Sequence, residues 1–318
     1  MIIKSPRTAT IMLLLVSLFW GIEYVLIDLA VARIPSHTFN AIRFALAALC
    51  LLPLLWFSQK TTKPLPYSSL IRAGMLLGLL LFIGFYTQTE ALRFTSVSNA
   101  GFITGLSVPL VPLLGLLLFR NAVKKSVWLS VITATIGLYL LTIGEHLTFN
   151  KGDTLVLICA FAFAIHIILT GRMVDSLPVI PLSIVQLVAV SVYSTSAALL
   201  SPDPAFYFPE AEPISWHQQL LTPVIIVAVL VAGILGTGYA VWAQSASQKL
   251  LKPHKVALIF AAEPVFAHIS AWLFLDETLG EKGMIGAGLI ITGMLIAELS
   301  DRNHPPQMRP LDKTAAPE

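Results

Sequence analysis

The sequence predicts an all-α polytopic membrane protein: ten transmembrane helices arranged as two inverted five-helix repeats. Three observations carry that expectation. The 318 residues are 56% hydrophobic and only 12% charged, about half the charge of an ordinary soluble domain, and the mean hydropathy is +0.82. Apolar runs of about 18 residues or more, each long enough to cross a bilayer as a helix, recur along most of the chain. Features of the first half return in the same order in the second.

The composition excludes a disordered chain, which needs low hydrophobicity and high charge. It excludes a water-soluble enzyme of ordinary type, whose surface needs far more charge. Cys50 and Cys159 both sit in apolar runs, so no disulfide framework or cysteine metal site is readable.

The expected spans are 10–31, 36–57, 70–92, 97–119, 125–144, 152–171, 180–200, 221–248, 253–275 and 281–300. Spans 1 and 2 are separated only by Arg33-Ile34-Pro35-Ser36, and spans 3 and 4 only by a polar patch at 93–98, so both pairs are antiparallel neighbours. Span 1 has a basic flank in Lys4 and Arg7, as a signal peptide does. Its apolar run is longer than a usual signal core and contains Glu23, so it reads as an uncleaved span. The segment 201–220, with Pro202, Pro204, Pro209 and Pro213, reads as a longer outside loop with a surface-lying piece around Trp216. The Pro-rich polar end, 301–318, reads as a disordered cytoplasmic tail.

Lys and Arg placement sets the orientation. With the N-terminus in the cytoplasm, fifteen of the 20 Lys and Arg residues fall on the inside and four on the outside, while Arg43 lies within span 2. That bias places both termini in the cytoplasm and requires an even number of spans.

A shift of 155 positions lays Pro109 on Pro264, Ala91 on Ala246 and Leu118-Phe119 on Leu273-Phe274; with one insertion, Gly137 falls on Gly293. The halves are 1–148 and 149–300. Five spans is an odd number, so the second half sits upside down. Inverted repeats of this kind are typical of secondary transporters, with a site near the midplane between the halves.

Several motifs carry a family resemblance. Leu18-Phe19-Trp20-Gly21 and Arg43-Phe44 in the first half, Glu263-Pro264-Val265-Phe266-Ala267 and Leu273-Phe274-Leu275-Asp276-Glu277 in the second, and the pair Gly286 and Gly293 resemble the EamA family of the drug/metabolite transporter superfamily. Two places depart from it: Asp276 stands where Gly is usual, and Arg120-Asn121-Ala122 where an acidic counterpart of Glu277 is expected. The resemblance spans about residues 10–298. It implies ten helices, cytoplasmic termini and movement of small metabolites, often amino acids or related compounds and often outward.

Ionisable groups within a bilayer are costly, so each needs a reason. Trp20, Glu23 and Tyr24 share a helical face; Glu23 either lines a substrate path, binding an amine or a proton, or pairs internally with Arg43. Arg43 either binds a carboxylate or serves as partner for Glu23 or Asp28. Tyr86 and Glu90 end span 3 as candidate substrate contacts, and Glu90 either serves there or pairs with Arg93 opposite it. Asn99 in span 4 either touches substrate or, like Thr104, bonds across helices. His166 is central in span 6, where it either packs or carries a proton, and Gln186 is a polar lining group of span 7. Tyr239 and Trp242 follow Gly233, Gly236 and Gly238 in span 8 and either wall a cavity or pack. Glu263 precedes Pro264, and Pro109 gives span 4 a corresponding weak point; these two prolines are the expected hinges.

Enzyme motifs fail. Gly105-Leu106-Ser107 is followed by Val108 rather than Gly, and there is no Walker A run, no H-E-x-x-H and no zinc spacing. The reading is therefore a secondary transporter of the bacterial cytoplasmic membrane, with spans 1–4 and 6–9 around a midplane cavity and spans 5 and 10 peripheral. Its expected partners are the lipid bilayer and a small-molecule substrate, with proton coupling through Glu23 or Glu263 or simple facilitated passage. No cofactor, metal or nucleic acid is implied, and the oligomeric state is left open. The competing readings are a nucleotide-sugar or other organic-anion carrier, which needs more Lys and Arg facing the cavity, and a membrane sensor that does not transport.

Overall fold

The computed structural model describes residues 3, 5–56, 67–95, 97–120, 123–142, 150–201, 205–206, 215–267, 269 and 280–302; the side chains of 97–99, 142 and 300–302 are not described. The loop tips, the motif from Leu273 to Glu277, the Asn99 side chain and the tail 303–318 therefore lie outside the described residues.

The first half runs α1 (Pro6–Val31), α2 (Ser36–Leu51, extended by a 3₁₀ turn Leu52–Leu55), α3 (Tyr67–Ala91), α4 (Val97–Gly105), α5 (Ser107–Phe119) and α6 (Lys125–Thr142). The second runs α7 (Lys151–Met173), α8 (Val179–Leu200), a short α9 (Trp216–Leu220), α10 (Pro223–Leu230), a π-helical segment Val231–Tyr239, α11 (Ala240–Ser247), α12 (Pro253–Phe260) and α13 (Glu281–Arg302). Among the described residues, eight helices are long and apolar enough to span a membrane, and Lys125–Leu141 is a shorter ninth. The ninth expected span, 253–275, begins with α12 and a helical turn at 263–267, beyond which only residue 269 is described.

Local chemistry fixes the helix starts. Ser5 accepts from the Thr8 amide, with Pro6 in the first turn of α1. Asn150 and Asp153 form a reciprocal capping box at α7. Asp153 also accepts from the Thr95 hydroxyl at 2.6 Å, which ties the start of α7 to the turn after α3. The extended exposed apolar surface, from Ile11 to Leu299, is what a lipid-facing perimeter requires.

The two halves are interleaved. The third span of each half packs on the first two of the other: α3 lies against α7 and α8, and the run α10–α11 lies against α1 and α2. The fourth spans pack on the first span of the other half, α4–α5 against α7 and α12 against α1. The fifth helices, α6 and α13, pack on each other. There the contact is reciprocal. A Cβ on Gly137 would lie 2.6 Å from the Gly286 carbonyl oxygen, and one on Gly286 2.5 Å from that of Gly137. A Cβ on Gly293 would lie 2.7 Å from the Ser130 carbonyl oxygen, as one on Gly137 would lie 2.6 Å from that of Gly286, so the contacts fit the alignment of Gly137 with Gly293. Small residues allow this close backbone approach.

Both fourth spans are broken at equivalent points. The α4–α5 run is interrupted at Leu106, and α12 gives way to a turn at Ala261-Ala262. The 155-residue shift that superposes Pro109 on Pro264 also superposes these breaks. Pro109 has no N–H to return to the carbonyl of Gly105, nor Pro264 to that of Phe260.

Candidate functional site

A cavity lies at the centre, with walls from α1, α3, α4–α5, α7, α11 and α12 with the turn beyond it. Its polar lining comprises Glu23, Tyr24, Gln88, Thr104, Ser107, His166, Gln244 and Glu263; its aromatic lining comprises Trp20, Phe85, Phe163 and Phe260. The space open to the centres of water-sized molecules is about 50 Å³, room for a few waters. A larger solute needs the walls to part.

Three elements meet at Glu23. Arg43, fully enclosed in α2, places Nη2 3.4 Å from Glu23 Oε1 and 2.9 Å from Thr237 Oγ1. The rings of Phe39, Phe44 and Phe85 surround its guanidinium with centroids 4.9–5.7 Å away, a setting that favours a cation. Glu23 Oε2 and Arg43 Nη1 have no hydrogen-bond partner among the described residues. Trp20 Nε1 donates to the Gly236 carbonyl at 2.7 Å. The Glu23 carboxylate sits where a Cβ of Gly236 would be. A π-helical turn has one residue more than an α-helical turn and is frequent at functional sites; here it carries both Gly236 and Thr237, which α1 and α2 grip.

The second half repeats this arrangement with neutral groups. His166 Nε2 lies 3.0 Å from Gln186 Oε1, and Gln244 Nε2 lies 3.4 Å from His166 Nδ1. A neutral imidazole satisfies both contacts, accepting at Nδ1 and donating from Nε2. The pairs Glu23–Arg43 and His166–Gln186 are each 20 residues apart, first span to second span in each half. Spans 2 and 7 thus stand behind the walls and brace them, whereas the expectation was that they line the cavity.

Glu263 is half-buried in the cavity wall beside Pro264. Its side chain meets the Tyr24 hydroxyl, which accepts from Gln88 Nε2 at 2.9 Å; Gln88 also donates to Thr104 Oγ1 at 3.1 Å. Gly21 makes this meeting possible. A Cβ there would lie 2.7 Å from the Ala267 nitrogen and 2.9 Å from the Glu263 carbonyl oxygen, so α1 touches the 263–267 turn backbone to backbone. That contact is the structural content of the Trp20-Gly21 pair.

Of the residues singled out from sequence, Trp20, Glu23, Tyr24, His166, Glu263 and Pro264 line the cavity. Arg43 and Gln186 brace it from behind. Tyr86 stacks on Phe82 at 5.6 Å, away from the cavity walls. Glu90 accepts from Ser36 and pairs with Arg93 at 2.8 Å near the helix end. Tyr239 packs on Phe19 and donates to the Met12 carbonyl, and Trp242 packs against Tyr239; neither lines the cavity. Pro109 directly follows the lining pair Ser107 and Val108.

Sequence reasoning does not place Gln88, Thr104, Ser107, Gln244, Phe85, Phe163 or Phe260 at the site. Spacing is a signal for several of them: Leu81, Phe85 and Gln88 fall at i, i+4, i+7 on α3 and share a face.

Two interleaved helical halves around a partly polar central cavity define the class: an integral membrane protein built to pass a solute. The chain belongs to the EamA-like transporter family, whose sequence profile matches residues 7–143 and 150–299 in two copies. It is 28% identical over 289 residues to a protein of Archaeoglobus fulgidus named "uncharacterized transporter", a match covering 90% of this chain and 84% of that one. It is 25% identical over 301 residues to the "uncharacterized transporter YyaM" of Bacillus subtilis, covering 90% of this chain and 92% of that one. A crystal structure of a protein 16% identical shares the fold with a TM-score of 0.72, covering 93% of this chain and 98% of that one. The chain is a membrane transporter, and not an enzyme.

Proposed function

We propose that the protein exports a small metabolite, an amino acid or related compound, from the bacterial cytoplasm by alternating access, with both termini in the cytoplasm. The observation that carries this reading is the pair of equivalent helix breaks, at Leu106 and at Ala261-Ala262, each beside the cavity. Equivalent breaks in two inverted halves let each half rock against the other about a fixed site. Pro109 and Pro264 are the hinges of that movement, and α6 and α13 stay peripheral. Coupling to protons through Glu23 or Glu263 and simple facilitated passage both fit this arrangement. The absence of Lys and Arg among the described cavity walls disfavours a nucleotide-sugar carrier, whose diphosphate needs cations.

The test is an unbiased metabolite profile of the medium from overproducing cells against an empty-vector control. A reproducible rise in one or a few small metabolites is expected, lost with Glu263→Gln. An unchanged medium under several growth conditions contradicts export.

A further inference from the structure

The cavity's charge is one-sided. Its described walls hold two carboxylates, Glu23 and Glu263, and no lysine or arginine. Glu23 is already answered: Arg43 is bound to it and to Thr237, is fully buried, and is absent from the cavity wall. His166 makes both its ring contacts as a neutral group, through Gln186 and Gln244. Glu263 takes part in none of the ion pairs among the described residues. Its polar neighbour, the Tyr24 hydroxyl, is neutral and is itself held by Gln88. The acidic group left without a counter-ion is therefore Glu263, in a space lined by aromatic rings.

We propose that the solute of this cavity is a small organic cation, a primary amine with an apolar or aromatic body. Its ammonium sits on Glu263 and its body lies among Trp20, Phe85, Phe163 and Phe260. A carboxyl group inside a membrane protein either takes a proton or pairs with a cation; an ammonium supplies that cation, and aromatic faces attract it as well as an apolar body. A carboxylate on the solute finds no cation here, because Arg43 is committed behind the wall. An amino acid would enter through its amine, with its acid group contributing nothing. This inference rests on the transporter reading and narrows its substrate class.

The test is calorimetric titration of the purified full-length protein in detergent with three probes of similar shape: 2-phenylethylamine, 3-phenylpropionate and phenylalanine. Saturable binding of the amine is expected, with no binding of the acid and no gain of affinity for the zwitterion. Glu263→Gln, shown folded by its thermal midpoint, should weaken amine binding about tenfold or more, the size of a hydrogen bond to a charged group. Glu263→Asp, which keeps the charge, should retain most of it. Acid binding equal to that of the amine, zwitterion binding more than about tenfold tighter, unchanged amine binding by a folded Glu263→Gln, or no binding of any probe would overturn the proposal. Transport itself is judged separately, by the exported metabolite, and stands if that metabolite proves neutral or anionic.

Discussion

Replacing Arg43 with methionine is expected to lower the stability of the solubilised protein by about 3–5 kcal/mol, the cost of removing one partner from a buried ion pair. Arg43 heads the fully buried large side chains, and Glu23 is only 3% exposed. The carboxylate already has one oxygen without a hydrogen-bond partner among the described residues. Losing the guanidinium strips the other, and Thr237 Oγ1 loses its donor as well. The double variant Glu23→Gln with Arg43→Met should recover most of the loss, because no charge is then stranded. Thermal unfolding of the four proteins in a double-mutant cycle measures the coupling directly. A loss below about 1 kcal/mol in the single variant, as surface pairs give, would show that Arg43 does not hold Glu23 in place.

The second large effect is expected at Gly236. Its missing side chain is the space the Glu23 carboxylate occupies, and its carbonyl takes the Trp20 indole proton at 2.7 Å. Gly236→Val should abolish flux and cost about 1–3 kcal/mol or more through overpacking, since both α1 and the π-helical segment must shift. Gly288→Ala is the control. No atom lies within 4 Å of its added Cβ, and alanine favours a helix over glycine by about 1 kcal/mol. Equal flux from Gly236→Val and wild type would mean that the grip of α1 on the π-helical segment is dispensable.

Much of the architecture was legible because the bilayer dictates it. A span must be apolar for about 20 residues, and short links between such runs force antiparallel neighbours. The broken fourth spans were legible from Pro109 and Pro264, since proline removes a hydrogen bond wherever it falls. Glu23 and Glu263 announced themselves by their charge. The interleaving was not legible. Nothing in a hydropathy pattern says that α3 packs on the other half's first two helices.

Span 8 was legible only as a choice: its aromatic pair Tyr239 and Trp242 could wall a cavity or pack, and they pack, while Val241 and Gln244 beyond the π-helical segment line the cavity. Tyr86 misled for a simple reason. It lies a single residue from Phe85, about 100° around the helix, and stacks on Phe82 while Phe85 and Gln88 face inward. The roles of Arg43 and Gln186 needed coordinates, because a side chain that lines a cavity and one that braces the lining read alike in sequence.

The central claim is that the cavity between the two halves, with Glu263 in its wall, is the path of the solute. The most direct measurement is uptake of the exported metabolite by vesicles reconstituted with purified protein. Wild type should give saturable uptake, and Glu263→Gln, inserted to the same level and equally stable, should reduce it to that of empty vesicles. Uptake by Glu263→Gln at the wild-type rate, or none by wild type, would contradict the account.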